Sequence, residues 1–392
     1  MFIRVQKVYI LAGLWMAFVL FPSCGGGGED FLSQEHNVNV SWETSEGRRI
    51  AGLIDTLYFI PLEEHPDGLI ASIDKIVATE DKLFVLDRIK QNVILAFDRN
   101  GKFLFRVGSR GGGPEEYAAI SNFTVSGDRI YLLDNTARVI LVYRTSDGSF
   151  LQRHRLDFSA QNLASIADGS FVFVKGFSLN HPLNEQDFRV FVTDDKFRIR
   201  KEMFPVNEDF STLEKFNSLE TNADQVVFHM YGMDYVAVFD QKDAESYTTY
   251  TFDFGGQRIP KDKRSDSKVY VSQNNYRYLF QGIFMVGSYL VGSAGIKAGV
   301  FVMDIRTGLI YVNDPNIQMG LDGKIKAEDP EYFTKNIYLS PIAAFENELF
   351  CPIDGMAYQT LRSIGIPPFV EPIDTFLQQG DNVVLQVFRL KQ

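Results

Sequence analysis

Residues 83–108 read LFVLDRIKQNVILAFDRNGKFLFRVG, and residues 130–155 read IYLLDNTARVILVYRTSDGSFLQRHR. The second stretch repeats the first 47 positions later: Asp87 maps onto Asp134, Val93 and Ile94 onto Ile140 and Leu141, and Gly101 onto Gly148. Within one copy, residues 76–78, 83–87, 93–98 and 103–107 are apolar and β-branched, which reads as four short strands. The polar turn 80–82 and the turn at Asn100-Gly101 separate them, and Asp147-Gly148 repeats that chemistry in the second copy. A period in the forties built from four strands is the signature of a β-propeller blade, because a single small sheet must stack on copies of itself to cover its faces.

Four further blades follow from the same grammar of turn, strand, loop and strand. Their paired strands fall at 171–174 with 188–193, 226–230 with 235–240, 289–292 with 299–304, and at 349–353. The last segment, 383–390, alternates like a third strand and has no fourth after it, whereas 55–62 is a strand with no blade of its own. Pairing the two would close the ring and remove its free edges. The expected fold is therefore all-β, a six-bladed propeller of four-stranded blades closed by an N-terminal strand.

The start of the chain carries an address. Arg4 and Lys7 precede an apolar run from 8 to 21 that ends in Pro22, Ser23 and Cys24. A positive end, a short apolar middle and a small residue at the cut site describe a secretion signal rather than a membrane span. The domain expectation is a signal at 1–23, a flexible tether and lead-in at 24–50 opening with Gly25 to Gly28, and one domain at 51–392. Removing the signal takes the formal charge from −11 to −13, since Arg4 and Lys7 leave and no acid does. That balance disfavours nucleic acid and anionic lipid surfaces. Only Cys24 and Cys351 exist, so no disulfide framework is available, and stability must come from packing in what is expected to be a monomer.

Four features resemble the six-bladed β-propeller lipoproteins of Bacteroidetes, relatives of NHL-repeat and TolB-like propellers. These are the LFPSC start, the LFVLD and FDRNGKF blade, the segment GSRGGGPEEY at 108–117, and the terminal strand ending in RLK. The resemblance covers nearly the whole mature chain and implies lipidation of Cys24 and a membrane attachment through that lipid alone. It implies no activity, because propellers host hydrolases, lyases and binding modules alike.

In such a ring the loops between second and third strands and the links between blades emerge on one face. That face is expected to carry Arg88, Asn92, Tyr117, Asp134, Arg138, His181 and His229 as candidate ligand-binding residues. Gln91, Asn135, Lys175, Asn180, Met230, Tyr231, Lys297 and Asp354 would accompany them. The segment RGGGPEEY reads as a blade connector whose tyrosine fills a gap, and a phosphate cradle is disfavoured because no helix follows. No cofactor is expected. A metal could still sit on the axis, with His181 and His229 as zinc ligands or Asp134, Asp234 and Asp354 as calcium donors. The functional expectation is thus an envelope binding module for a peptide, glycan or partner protein. The alternative is a metal-assisted lactonase- or lyase-type enzyme. Two insertions bear on the face: a basic, tyrosine-bearing one at 255–278, and one at 354–382 with a short helix near 373–379 that would form a partial lid.

Overall fold

The computed structural model describes residues 37–42, 44–175, 188–205, 217–223, 225–264, 266, 268–269, 276–280, 282–295, 299–312, 340–363, 371–379 and 383–392. Three strands open the described chain: β1 (Asn37–Ser41), β2 (Thr44–Arg49) and β3 (Ile54–Pro61). Blade 1 is β4 (Lys75–Ala78), β5 (Lys82–Asp87), β6 (Val93–Asp98) and β7 (Phe103–Val107). Blade 2 is β8 (Asn122–Ser126), β9 (Arg129–Asp134), β10 (Val139–Arg144) and β11 (Phe150–Arg155). Blade 3 is β12 (Ala160–Ser165), β13 (Phe171–Lys175), β14 (Phe188–Thr193) and β15 (Ile199–Pro205). Blade 4 is β16 (Asn217–Asn222), β17 (Gln225–Met230), β18 (Tyr235–Phe239) and β19 (Tyr247–Asp253). Blade 5 is β20 (Phe284–Val286), β21 (Tyr289–Ser293), β22 (Val300–Asp304) and β23 (Ile310–Val312). Blade 6 is β24 (Ala343–Phe345), β25 (Glu348–Ile353) and β26 (Val384–Leu390), completed by β3.

The closure is made by the expected pair of strands. β3 runs antiparallel to β26, with Val384 opposite Pro61 and Arg389 opposite Thr56. Glu348 at the start of β25 ties the seam: its Oε1 accepts from the Tyr58 hydroxyl at 2.9 Å and from Arg389 at 2.6 Å, and its Oε2 pairs with Arg99 of blade 1. Burial alone would raise this carboxyl; Arg389, Tyr58 and Arg99 outweigh it and hold it below the usual glutamate range.

The lead-in is itself strand. β1 pairs parallel with β19, from Asn37 opposite Thr249 to Ser41 opposite Asp253, and β2 pairs parallel with β23. The N-terminal stretch thus edges blades 4, 5 and 6 in turn. Parallel pairing leaves no tight hairpin turn in the sequence, so the pattern of turns does not announce it.

The buried apolar residues form six clusters, each between two neighbouring blades. Leu83 and Val85 of β5 face blade 6, while Phe84 and Leu86 face blade 2. Alternation along a strand sends successive side chains to opposite faces, and here both faces are covered. That is why LFVLD and VILAFD read as continuous apolar runs. Removing a buried phenylalanine such as Phe84 would cost about 3–5 kcal/mol.

Between β25 and β26 the chain leaves the sheet to form α1 (Gly355–Ser363) and α2 (Ile373–Gln378). The second matches the expected short helix. The first arises where Asp354 caps the chain, its Oδ1 accepting the Ala357 N–H at 2.7 Å. The buried Tyr358 hydroxyl donates to Asp374 Oδ1 at 2.7 Å and fastens the two helices together.

Candidate ligand-binding face

The links and the loops between second and third strands share one face, and two cavities open there. The wider is a cleft of about 960 Å³ between the blade 6 helices and the loop that joins β3 to β4. Its walls include Leu69, Ile70 and Ile73 from the loop, Met356 and Gln359 from α1, and Gln378 from α2. Leu69 is 52% exposed and Met356 is 81% exposed, and Ile89, beside the lining residue Lys90, is 69% exposed. Large apolar side chains gathered in the open at one cleft are the usual mark of a contact surface. Among the described residues, Glu63, Glu64 and Asp354 line the cleft against the single cation Lys90, so the described walls are acidic.

The second cavity, about 470 Å³, lies at the mouth of the ring axis. All six blades line it, among them Lys75 and Arg88 of blade 1, Asn122 of blade 2, Asn162 of blade 3, Ser218 and Glu220 of blade 4, and Ser293 of blade 5. Ser340 and Ile342 of blade 6 border both cavities. Lys75 Nζ donates to Asn122 Oδ1 at 2.8 Å and to the Phe123 carbonyl at 3.0 Å, and Asn122 in turn donates to Asn162. Burial lowers the Lys75 ammonium to about 8, with Glu220 pulling it partly back, and burial raises the Glu220 carboxyl.

The residues expected to form one site do not converge. Arg88 does reach the axial mouth, half-exposed, with its guanidinium 3.9 Å from Asp74. Arg138 lies elsewhere, in a groove of about 510 Å³ at the rim of blade 2 with Arg153 and Arg155. Tyr117 is fully buried and donates its hydroxyl to the Asn92 carbonyl at 3.1 Å. Asn92, at a positive φ of 55°, accepts the Ile120 N–H at 2.9 Å. Both residues stitch blade 1 to blade 2 rather than face a ligand. Asp134 is fully buried and spends its oxygens on backbone N–H groups. His229 is buried within blade 4, its Nδ1 3.1 Å from the Tyr235 carbonyl, and burial lowers it to about 4. In each of these four residues a polar atom meets the backbone of the ring itself. His181, Asn180, Lys297 and Cys24 lie outside the described residues.

The three aspartates considered for calcium lie apart. Asp234 pairs with Arg258 and, at 3.2 Å, with Arg264, and Asp354 caps α1, so neither joins Asp134. Among the described residues no three His, Cys, Asp or Glu side chains come together as a metal cluster. The basic insertion is likewise tied down in part, since Arg258 and Arg264 are the partners of Asp234. The segment RGGGPEEY is a folded connector. Gly113 N–H bonds Glu116 Oε2 at 2.8 Å, Tyr143 donates to the Glu115 carbonyl at 2.9 Å, and a side chain at Gly111 would collide with the Glu116 carboxylate.

Residues 32–284 match a family described as a 6-bladed beta-propeller. The chain belongs to the DUF5128 family. Its fold is shared by a Bacteroides fragilis protein provisionally classed as exported, with a TM-score of 0.67 at 18% identity over 91% of this chain and 100% of that one. A DUF4221 member from Bacteroides vulgatus aligns with a TM-score of 0.50 at 12% identity over 87% of this chain and 98% of that one. At such identities the likeness concerns the fold. No curated protein matches the sequence. Among the described residues no helix is long and apolar enough to cross a membrane.

The sequence reading missed the cleft and most of the axial mouth. Lys75 and Asn122 stand 47 residues apart, at equivalent positions opening two first strands, and a charged and an amide residue at that apolar position was the available signal. Met356 and Leu69 carry no such signal, because nothing in the sequence says that their two loops meet.

Proposed function

We propose that this DUF5128 protein is a lipid-anchored binding module of the cell envelope whose cleft takes an extended peptide segment of a partner, apolar and basic in character. The observation that carries this reading is the exposed Leu69 and Met356 in a cleft of acidic walls, with exposed Ile89 next in sequence to the lining residue Lys90. Covering those three side chains would contribute on the order of 3–5 kcal/mol. Gln91, Gln359 and Gln378 add amide groups that suit a peptide backbone. Among the described residues the lining holds no aromatic plate on which a sugar ring could stack, which favours peptide over glycan.

The anchor fits this orientation. Cys24 precedes Asn37 by thirteen positions, a reach of roughly 45 Å fully extended. β1 begins beside Thr249, at the end of β19 that follows the turn 240–246, on the side of the ring opposite the cleft. A lipid at Cys24 would therefore leave the cleft turned away from the membrane.

Selection of a random heptapeptide display library on the immobilised protein tests the reading. Enriched peptides should combine Leu, Ile, Met or Phe with Lys or Arg, and enrichment should vanish on a Leu69→Asp, Met356→Asp variant. Enrichment that survives in that variant, or none on the wild type, would remove the proposal.

A further inference from the structure

The axial mouth holds polar groups that the described residues leave without hydrogen-bond partners. Glu220, in the first strand of blade 4, accepts no hydrogen bond from the described residues; the cation that acts on it is Lys75, which only partly offsets its burial. Ser218, two positions earlier on the same strand, is 4% exposed, lines the cavity, and its hydroxyl has no hydrogen-bond partner. A buried hydroxyl and a partly buried carboxylate with no hydrogen bond cost free energy in the empty ring. Both needs are met by a donor entering from the cavity.

The opposite wall has the opposite sign. Blade 1 presents Lys75 and Arg88 against Asp74, a net charge of +1, whereas blade 4 presents Glu220, a net charge of −1. Two of the three Lys75 ammonium hydrogens are used on Asn122 Oδ1 and the Phe123 carbonyl, which fixes the ammonium at the cavity wall and leaves one hydrogen. Arg88 is held to Asp74 only loosely, at 3.9 Å. A simple cation would meet Lys75, and a simple anion would meet Glu220. Among its described residues the lining is formally neutral but divided, which is the pattern that selects a dipolar ligand. Phe280, Pro341 and Ile342 supply an apolar patch between the two poles.

We infer that the axial mouth is a binding site for a small zwitterion of the amino-acid or short-peptide class. The ammonium lies against Glu220 and Ser218, the carboxylate lies against Lys75 and Arg88, and an apolar side chain lies against Phe280 and Ile342. The volume of about 470 Å³ accommodates a free amino acid or a dipeptide. This site stands apart from the peptide cleft, although Ser340 and Ile342 border both.

Titration calorimetry with L-leucine, leucyl-leucine, N-acetyl-leucine and leucinamide tests the assignment on the wild-type protein. At least one of the two zwitterions should bind, and which of them binds tighter separates a free amino acid from a short peptide. Blocking the amine or the carboxylate should weaken binding at least tenfold. Glu220→Gln should weaken the zwitterion at least tenfold and erase the preference for L-leucine over its N-acetyl form. Arg88→Ala should erase the preference for L-leucine over leucinamide. Met356→Asp, which damages the cleft alone, should leave zwitterion affinity unchanged, so the two sites succeed or fail separately. No binding of either zwitterion at millimolar concentration, equal binding of N-acetyl-leucine, or full affinity in Glu220→Gln would overturn the assignment. Should Glu220→Gln fail to fold, the wild-type comparison of free and blocked ligands still decides.

Discussion

Asp87 and Asp134, 47 residues apart, hold the same bracket in consecutive blades. Asp87 Oδ2 accepts the N–H groups of Ala71 and Ser72 at 2.9 and 3.0 Å, and Asp134 Oδ2 accepts those of Ala118 and Ala119 at 2.6 and 3.3 Å. The other oxygen turns to the loop that follows the strand, taking Lys90 and Gln91 in blade 1 and Ala137 in blade 2. One carboxylate thereby joins the link arriving at a blade to the loop inside it. The repeated aspartate is an architectural part, and its period is the period of the links.

Asp134→Ala should accordingly lower stability by about 2–4 kcal/mol, since three N–H groups lose their acceptor inside the protein. Urea unfolding of the variant checks this. A ligand-binding aspartate on a solvent-facing loop would change stability by less than about 1 kcal/mol.

The ring was legible because its information is local and repeated. Second strands at 83–87 and 130–134, their turns, and the unpaired strands at 55–62 and 383–390 all follow from alternation and turn chemistry. The face was legible as a place, but its occupants were not. Asn92, Tyr117, Asp134 and His229 look like spare polar groups in a string of letters, yet each answers a backbone need or fills a core that only the folded ring creates. Lys75, Ser218 and Glu220 acquire meaning only when blades 1 and 4 bring them to one axis. Leu69 and Met356, nearly 290 residues apart, acquire it only when the blade 6 helices come to rest beside the first link.

Acid should weaken the protein in two separable steps. His229 is lowered from 6.5 to about 4 by burial, so between those values the unfolded chain takes up a proton that the folded chain refuses. Stability is fully present above 6.5 and falls as pH drops toward 4, by on the order of 3 kcal/mol. His229→Gln should flatten stability over that window in urea titrations at pH 7, 5.5 and 4.5. An unchanged slope would contradict the assignment. The carboxyl of Glu348, held below its unfolded value of 4.5, contributes stability above that value and loses it as pH falls further.

Deleting residues 383–392 should expose the edges of β3 and β25 and yield aggregated protein. Soluble material with a cooperative melt after that deletion would show that the ring closes by other means.

Cys24→Ala should abolish metabolic labelling by a fatty acid and release or stall the protein. Cys351, buried in blade 6, should be replaceable by Ala with no change of location and a modest loss of stability. Label retained after the Cys24 change would remove the anchor.

Amide hydrogen exchange with and without a library-selected peptide tests the central claim most directly, because it maps the contact without assuming which side chains make it. Slowed exchange is expected in residues 62–73 and 354–363, the two walls of the cleft, with little change at the turns 127–128 and 166–169 on the opposite face. Protection confined to those turns, or to the rim of blade 2 around Arg138, would contradict it.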